Sequence, residues 1–154
     1  MKFNVLSILL ALTLTSCASV NSYREPRAGS QPLAVVSGSS TRTGLAEWSH
    51  SSVTAIDGKP VGMLWSAESK INVVPGTHHF VITTEFNLGW GTGPYNSLTE
   101  VVASLKPGMQ YRFVAKPSGA SLSVWAEDAK GQRVSAAGTS KYQIESRNTV
   151  FITH

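Results

Sequence analysis

The chain's single cysteine has the most specific chemistry in the sequence. Cys17 ends an apolar run, and residues 14–17 are Leu-Thr-Ser-Cys. A lone thiol forms no disulfide within the chain, and a cysteine-based metal site needs several such ligands. The position of Cys17 directly after a short apolar segment indicates where the chain resides more than which reaction it performs.

Residues 1–16 have the layout of a secretory signal peptide. Lys2 supplies a positive start, and the apolar stretch from Phe3 to Leu14 is shorter than the roughly 20 residues of a spanning helix. With Leu-Thr-Ser-Cys, this stretch resembles the signal peptide and lipobox of bacterial lipoproteins. The resemblance implies cleavage before Cys17, a diacylglycerol on its sulfur and an acyl chain such as palmitate on its new amino group. An ordinary signal peptide with an incidental cysteine is the alternative.

The residue after the cysteine indicates which membrane would hold the protein. Gram-negative lipoproteins that stay in the inner membrane commonly carry Asp at this position, and this chain carries Ala18. The resemblance therefore implies an outer-membrane anchor that faces the periplasm, if the source is Gram-negative. Two or three acyl chains hold a protein durably, since each buried CH2 contributes about 0.8 kcal/mol. We expect residues 17–32 to form a lipidated N-terminus and a flexible tether of roughly 20 Å span.

The other reactive side chains show no convergent pattern. The sequence lacks the Gly-x-Ser-x-Gly motif of common esterases. Asp57 and Asp128 lie in predicted turns, where a carboxylate accepts backbone hydrogen bonds. His78 and His79 are neighbours in a predicted strand and point to opposite faces, so they do not bind one ion together. We therefore expect no enzymatic activity, no metal and no cofactor. The thirteen Lys and Arg residues are scattered, which predicts no nucleic-acid partner.

The region from residue 33 onward predicts an all-β domain. Apolar residues make up 42% of the chain and charged residues only 14%, and short alternating apolar runs are separated by turn residues. We predict strands at 32–38, 52–57, 61–66, 70–74, 78–86, 99–105, 109–115, 121–127, 132–137 and 149–153. The segment 98–105 also fits a helical stripe, but its Val-Val pair and the following Pro-Gly favour a strand. The spacing predicts an antiparallel β-sandwich or a small barrel, and we expect the sandwich, over 33–154.

Turn motifs carry a family resemblance. Asp57-Gly58 and Pro107-Gly108 supply turn chemistry, as do Pro75-Gly76 and residues 128–131, Asp-Ala-Lys-Gly. The segments VTAIDGKPVG, INVVPGTHHFVIT, LKPGMQYRFVA and SVWAEDAKGQRV resemble PEGA-like modules and small envelope lipoproteins of uncharacterised function. The resemblance covers about residues 50 to 135. It implies a PEGA-like, transthyretin-like sandwich and implies no particular activity.

The longest polar insertion between strong strands carries two aromatic residues. Residues 87–97 are NLGWGTGPYNS, and Trp90 and Tyr95 are the candidate partner-binding residues. The alternative is that both rings fold over the end of the sandwich, as we expect Trp48, Trp65 and Trp125 to pack in its core. The leading hypothesis is a lipid-anchored, non-enzymatic envelope accessory that binds a protein partner. The second is a lipoprotein that binds a glycan or small ligand through the aromatic loop.

Overall fold

The computed structural model describes residues 22–62, 66–90 and 93–144. This part of the chain is an all-β sandwich and contains no helix long and apolar enough to cross a membrane. Cys17 and Trp65 lie outside the described residues, as does the predicted strand 149–153. The described strands are β1 (Ala34–Ser37), β2 (Ser39–Arg42), β3 (Glu47–Ile56), β4 (Lys59–Pro60), β5 (Ile71–Val73), β6 (Gly76–Leu88), β7 (Tyr95–Leu105), β8 (Gln110–Ser118), β9 (Ser121–Asp128), β10 (Gly138–Lys141) and β11 (Gln143–Ile144).

Two packed sheets enclose the core. The first sheet has the order β10-β9-β8-β1-β5, and the second has the order β11-β7-β6-β3-β2 with β4 on β3. All pairings are antiparallel except that of β1 with β8. Alternate side chains of the strands point between the sheets, and the largest fully buried ones include Phe80, Phe86 and Phe113. Phe80 and Phe113 meet across the sheets with ring centroids 4.7 Å apart.

The alternation in β7 confirms the strand predicted at 99–105. Val101, Ala103 and Leu105 are buried, whereas Leu98 and Val102 are exposed. A helical stripe would have placed Leu98, Val102 and Leu105 on one face, so period 2 decides the assignment. The strands predicted near 32–38, 52–57, 70–74, 78–86, 109–115 and 121–127 are also confirmed, with shifted ends.

Two predicted strands are wrong in the described residues. Of the strand predicted at 61–66, residues 61, 62 and 66 are described and belong to no strand, although the Val61 N–H donates to the Thr54 carbonyl at 2.8 Å and extends the pairing of β4 with β3 by one bond. Residues 63–65 lie outside the described residues. At 132–137 there is one isolated bridge, between Arg133 and Glu127. There the Ser135 hydroxyl accepts the Ala126 N–H at 2.9 Å, so a side chain replaces a ladder bond.

One strand changes sheets at Gly38. β1 belongs to the first sheet and β2 to the second, and only Gly38 separates them. A Cβ at Gly38 would lie 1.6 Å from the carbonyl oxygen of Ser51. The backbone of β3 thus approaches so closely that only glycine fits. As a consequence β1 ends halfway along the sandwich, and β2 continues on the opposite sheet.

Candidate functional site

The N-terminal segment enters the domain at one end, here called the entry end. Tyr23 donates its N–H to the Pro60 carbonyl and its hydroxyl to the Asn72 carbonyl, both at 2.8 Å. Glu25 Oε2 accepts the Asn72 backbone N–H at 3.1 Å and its side-chain amide at 2.6 Å. These side chains satisfy the outer backbone groups of Asn72 on the edge strand β5. Residues 23–25, assigned to the tether in the sequence, are therefore bound to the domain.

The Tyr23 hydroxyl has a raised pKa. Burial raises the pKa of Tyr23 to about 12, and the negative charges of Glu25 and Asp57 act in the same direction. The hydroxyl therefore stays protonated and keeps donating to Asn72 well above neutral pH. Six residue steps separate Cys17 from Tyr23, which spans at most about 20 Å of extended chain. An anchor at Cys17 would thus hold the entry end close to its membrane.

Asp57 and His78 close the entry end with a polar cluster. Asp57 Oδ2 lies 2.7 Å from His78 Nδ1, Asp57 Oδ1 accepts the His79 N–H at 3.0 Å, and His78 Nε2 lies 2.8 Å from the Val74 carbonyl oxygen. Burial raises the pKa of Asp57, but the hydrogen bonds from His78 and His79 and their positive charges outweigh it, and the net pKa is lowered. The His78 ring thus lies between two acceptors, the Asp57 carboxylate and the Val74 carbonyl. This cluster connects the turn at Asp57-Gly58 to the start of β6.

Metal-binding geometry is not found in the described residues. No group of three or more His, Cys, Asp or Glu side chains there is arranged to hold an ion. His78 is turned into its turn and His79 is exposed, so the two adjacent histidines point apart as their positions on a strand predict.

The two candidate aromatic residues of the loop behave differently. Tyr95 begins β7 and is half-buried, and its ring lies 5.4 Å from Phe86 and 5.0 Å from Tyr142 between centroids. Trp90 is 82% exposed at the tip of the β6–β7 hairpin, beside Leu88, which is 44% exposed. Tyr95 therefore packs over the end of the sandwich, whereas the Trp90 side chain is exposed to solvent.

The other tryptophans in the described part are not core residues. Trp48 is half-buried, with its ring centroid 5.0 Å from that of His50. Trp125 is also half-buried, and its Nε1 donates to Glu127 at 3.0 Å. The Arg133 guanidinium stacks over the Trp125 ring at 5.3 Å. The prediction that these rings fill the core is wrong, because both stand on the outward face of their strands.

The sequence analysis did not identify a serine–histidine pair. Ser40 on β2 and His50 on β3 are directly opposite, and Ser40 Oγ lies 2.8 Å from His50 Nδ1. Both residues are exposed on an open sheet face. A catalytic serine needs a base that is held by a third group, and it needs a site that is shielded from water. The exposed Ser40–His50 pair is not shielded from water. Only the strand register brings this pair together, so no local sequence signal could have found it.

The opposite end of the sandwich is here called the distal end. It carries the β6–β7 hairpin tip with Trp90, the start of β3 at Glu47, and a cleft of about 370 Å³ between the sheets. β6 runs from the entry end to the distal end over 13 residues, or roughly 40 Å. Exposed aromatic surface and cleft therefore both lie far from the bound N-terminal segment.

Comparison of the chain with protein-family models, curated proteins and solved structures finds no match.

Proposed function

We propose that this chain is a lipid-anchored, non-enzymatic module of the bacterial cell envelope that binds a protein partner at its distal end. The observation that carries the proposal is the separation of the two ends. The N-terminal segment is tied to the entry end through Tyr23, and the exposed Trp90 stands on the hairpin tip at the other end. A domain held from one end and presenting an aromatic residue at the other is arranged to reach away from its membrane.

The anchor in this proposal is Cys17. Its support is the Leu-Thr-Ser-Cys motif after a short apolar segment, together with Ala18, which favours the outer membrane and the periplasmic side. The sandwich is proposed to be PEGA-like because the turn motifs that resemble those modules, Asp57-Gly58 and Pro107-Gly108, form turns in the structure.

Trp90 is proposed as the central contact with the protein partner. Tryptophan is enriched among the residues that contribute most to interface affinity, because its ring buries a large area with few rotatable bonds. Trp90 is 82% exposed in the loop between β6 and β7, and an exposed large aromatic side chain is suited to an interaction surface.

The test is partner capture from crosslinked membranes with matched variants. We expect Trp90→Ala to keep the melting temperature and to lose the protein band that the unmodified chain captures. Val134→Ala, at a 40% exposed position beside Ala126 of β9 and away from the distal end, is the control that should keep both. Tyr95→Ala should lower the free energy of unfolding by about 1–3 kcal/mol, because it removes two aromatic contacts. Undiminished capture by Trp90→Ala, or no reproducible band with the unmodified chain, contradicts the proposal.

A further inference from the structure

The strand that changes sheets leaves a cleft between the two sheets at the distal end. β1 ends at Ser37, so the first sheet continues toward the distal end only with β8, β9 and β10. The second sheet continues there with β2, β3 and β6. The inner face of β2 and of the first half of β3 therefore faces only β8 of the first sheet, and the cleft of about 370 Å³ lies between them.

The inner face of β2 and of the first half of β3 is polar. Thr41 is opposite Ser49 in the β2–β3 register, and both are on the face that carries the buried Ser51. Thr43 and Glu47 follow toward the distal end, with Thr43 Oγ1 donating to Glu47 Oε2 at 3.0 Å. An inward-facing row of a sandwich is ordinarily apolar. Hydroxyl and carboxylate groups at these positions are suited to hydrogen bonding with a ligand rather than to packing.

The opposite side of the cleft is apolar. Phe86 and Leu88 from β6 and Ala115 and Pro117 from β8 contribute to its lining. The volume falls within the ~300–1,000 Å³ of small-molecule sites, in which apolar surface is combined with a few polar groups. The residues that line this cleft include no Lys, Arg or His, and Glu47 is the one ionisable side chain among them. An anionic ligand would therefore meet a negative charge without a compensating cation.

We infer that this cleft binds an uncharged saccharide ring. A sugar ring presents hydroxyls at its edge and C–H groups on its faces, which match the Thr41, Thr43 and Ser49 hydroxyls and the apolar lining around Phe86. The Glu47 carboxylate accepts from a sugar hydroxyl in a charge-assisted hydrogen bond. The proposed glycan-binding site is thus the cleft between the sheets and not the loop that carries Trp90. It depends neither on the lipid anchor nor on the protein partner.

The experiment is a titration of the whole chain in detergent, followed by amide chemical shifts. The probes are chitotriose and maltotriose, which are uncharged, and glucuronic acid, which is anionic. We expect an uncharged probe at millimolar concentration to shift the amides of Thr41, Ser49 and Leu88, and glucuronic acid to shift none of them. Shifts that map elsewhere, or no shifts with either uncharged probe, overturn the inference.

Variants separate this site from the partner surface. Thr41→Val with Ser49→Ala should weaken saccharide binding about tenfold or more, because sugar hydroxyls lose their partners. Thr139→Val, an exposed position on β10, is the matched control and should bind as the unmodified chain does. Trp90→Ala should keep saccharide binding while it loses the protein partner. Equal saccharide affinity in the double variant and in the unmodified chain overturns the inference, whatever the outcome of the partner capture.

Discussion

At the scale of single residues, Asp57 shows how one side chain takes part in two different structures. It occupies the left-handed region with φ 49° in the turn before Gly58, and its carboxylate also fastens the β6 segment through His78 and the His79 N–H. The turn was predicted, because Asp-Gly is a strong local signal. The contacts with β6 were not, because they join residues 21 and 22 positions apart in sequence and depend on the β3–β6 pairing.

The lowered pKa of Asp57 predicts a specific loss of stability in acid. A carboxyl group whose pKa is lower in the folded state stabilises the fold fully above its unfolded pKa of about 3.9, and this contribution disappears as the pH falls through the folded value. We expect Asp57→Asn to lose less than about 1 kcal/mol at neutral pH, since the carboxylate is 47% exposed. As the pH falls below about 4, its unfolding free energy should fall less steeply than that of the unmodified chain.

Urea unfolding at a series of pH values measures this effect. Glu68→Gln, at an exposed position, is the control and should follow the pH profile of the unmodified chain. A profile for Asp57→Asn that runs parallel to the unmodified one through the acid range would show that the contacts with His78 and His79 contribute no linked stability.

At the scale of elements, the sequence predicts the strands that face the core and fails on those that do not. β6, β7, β8 and β9 alternate apolar and polar residues, and this pattern was sufficient to locate them. β2 is Ser-Ser-Thr-Arg and β10 is Gly-Thr-Ser-Lys, without apolar alternation. They are strands because long neighbouring strands offer them hydrogen-bonding edges, which is tertiary information. The cleft went unpredicted for the same reason, since β2 forms one of its walls.

The sheet change at Gly38 predicts a strict requirement for glycine. Gly38→Ala would place a methyl group 1.6 Å from the Ser51 carbonyl oxygen, so β2 or β3 must move. We expect a loss of about 3 kcal/mol in unfolding free energy. Gly44→Ala is the control, because its Cβ would approach nothing closer than 3.9 Å, and it should change stability by less than about 0.5 kcal/mol. Calorimetric melting compares the two, and equal stability would mean that the strands do not approach this closely.

At the scale of the whole molecule, the two ends of the sandwich carry different features. The entry end binds the N-terminal segment through Tyr23 and Glu25, which shortens the free tether expected from Pro- and Gly-containing residues 18–32. Composition indicated flexibility there, but it carried no information on the open edge of β5 that these side chains satisfy. The distal end carries Trp90 and the cleft. In the proposed arrangement, the chain before Tyr23 would set the distance to the membrane, and the proposed partner surface would lie some 40 Å away along β6.

The most direct test of this account is the mass of the native protein isolated from membranes. The account predicts a mature chain that starts at Cys17, with a diacylglycerol thioether on the sulfur and an acyl group on the amino terminus. Cys17→Ala, the matched variant, should leave the membrane fraction while keeping the fold. A native chain that starts at another residue, or one that carries a free thiol at Cys17, would contradict the anchored module proposed here.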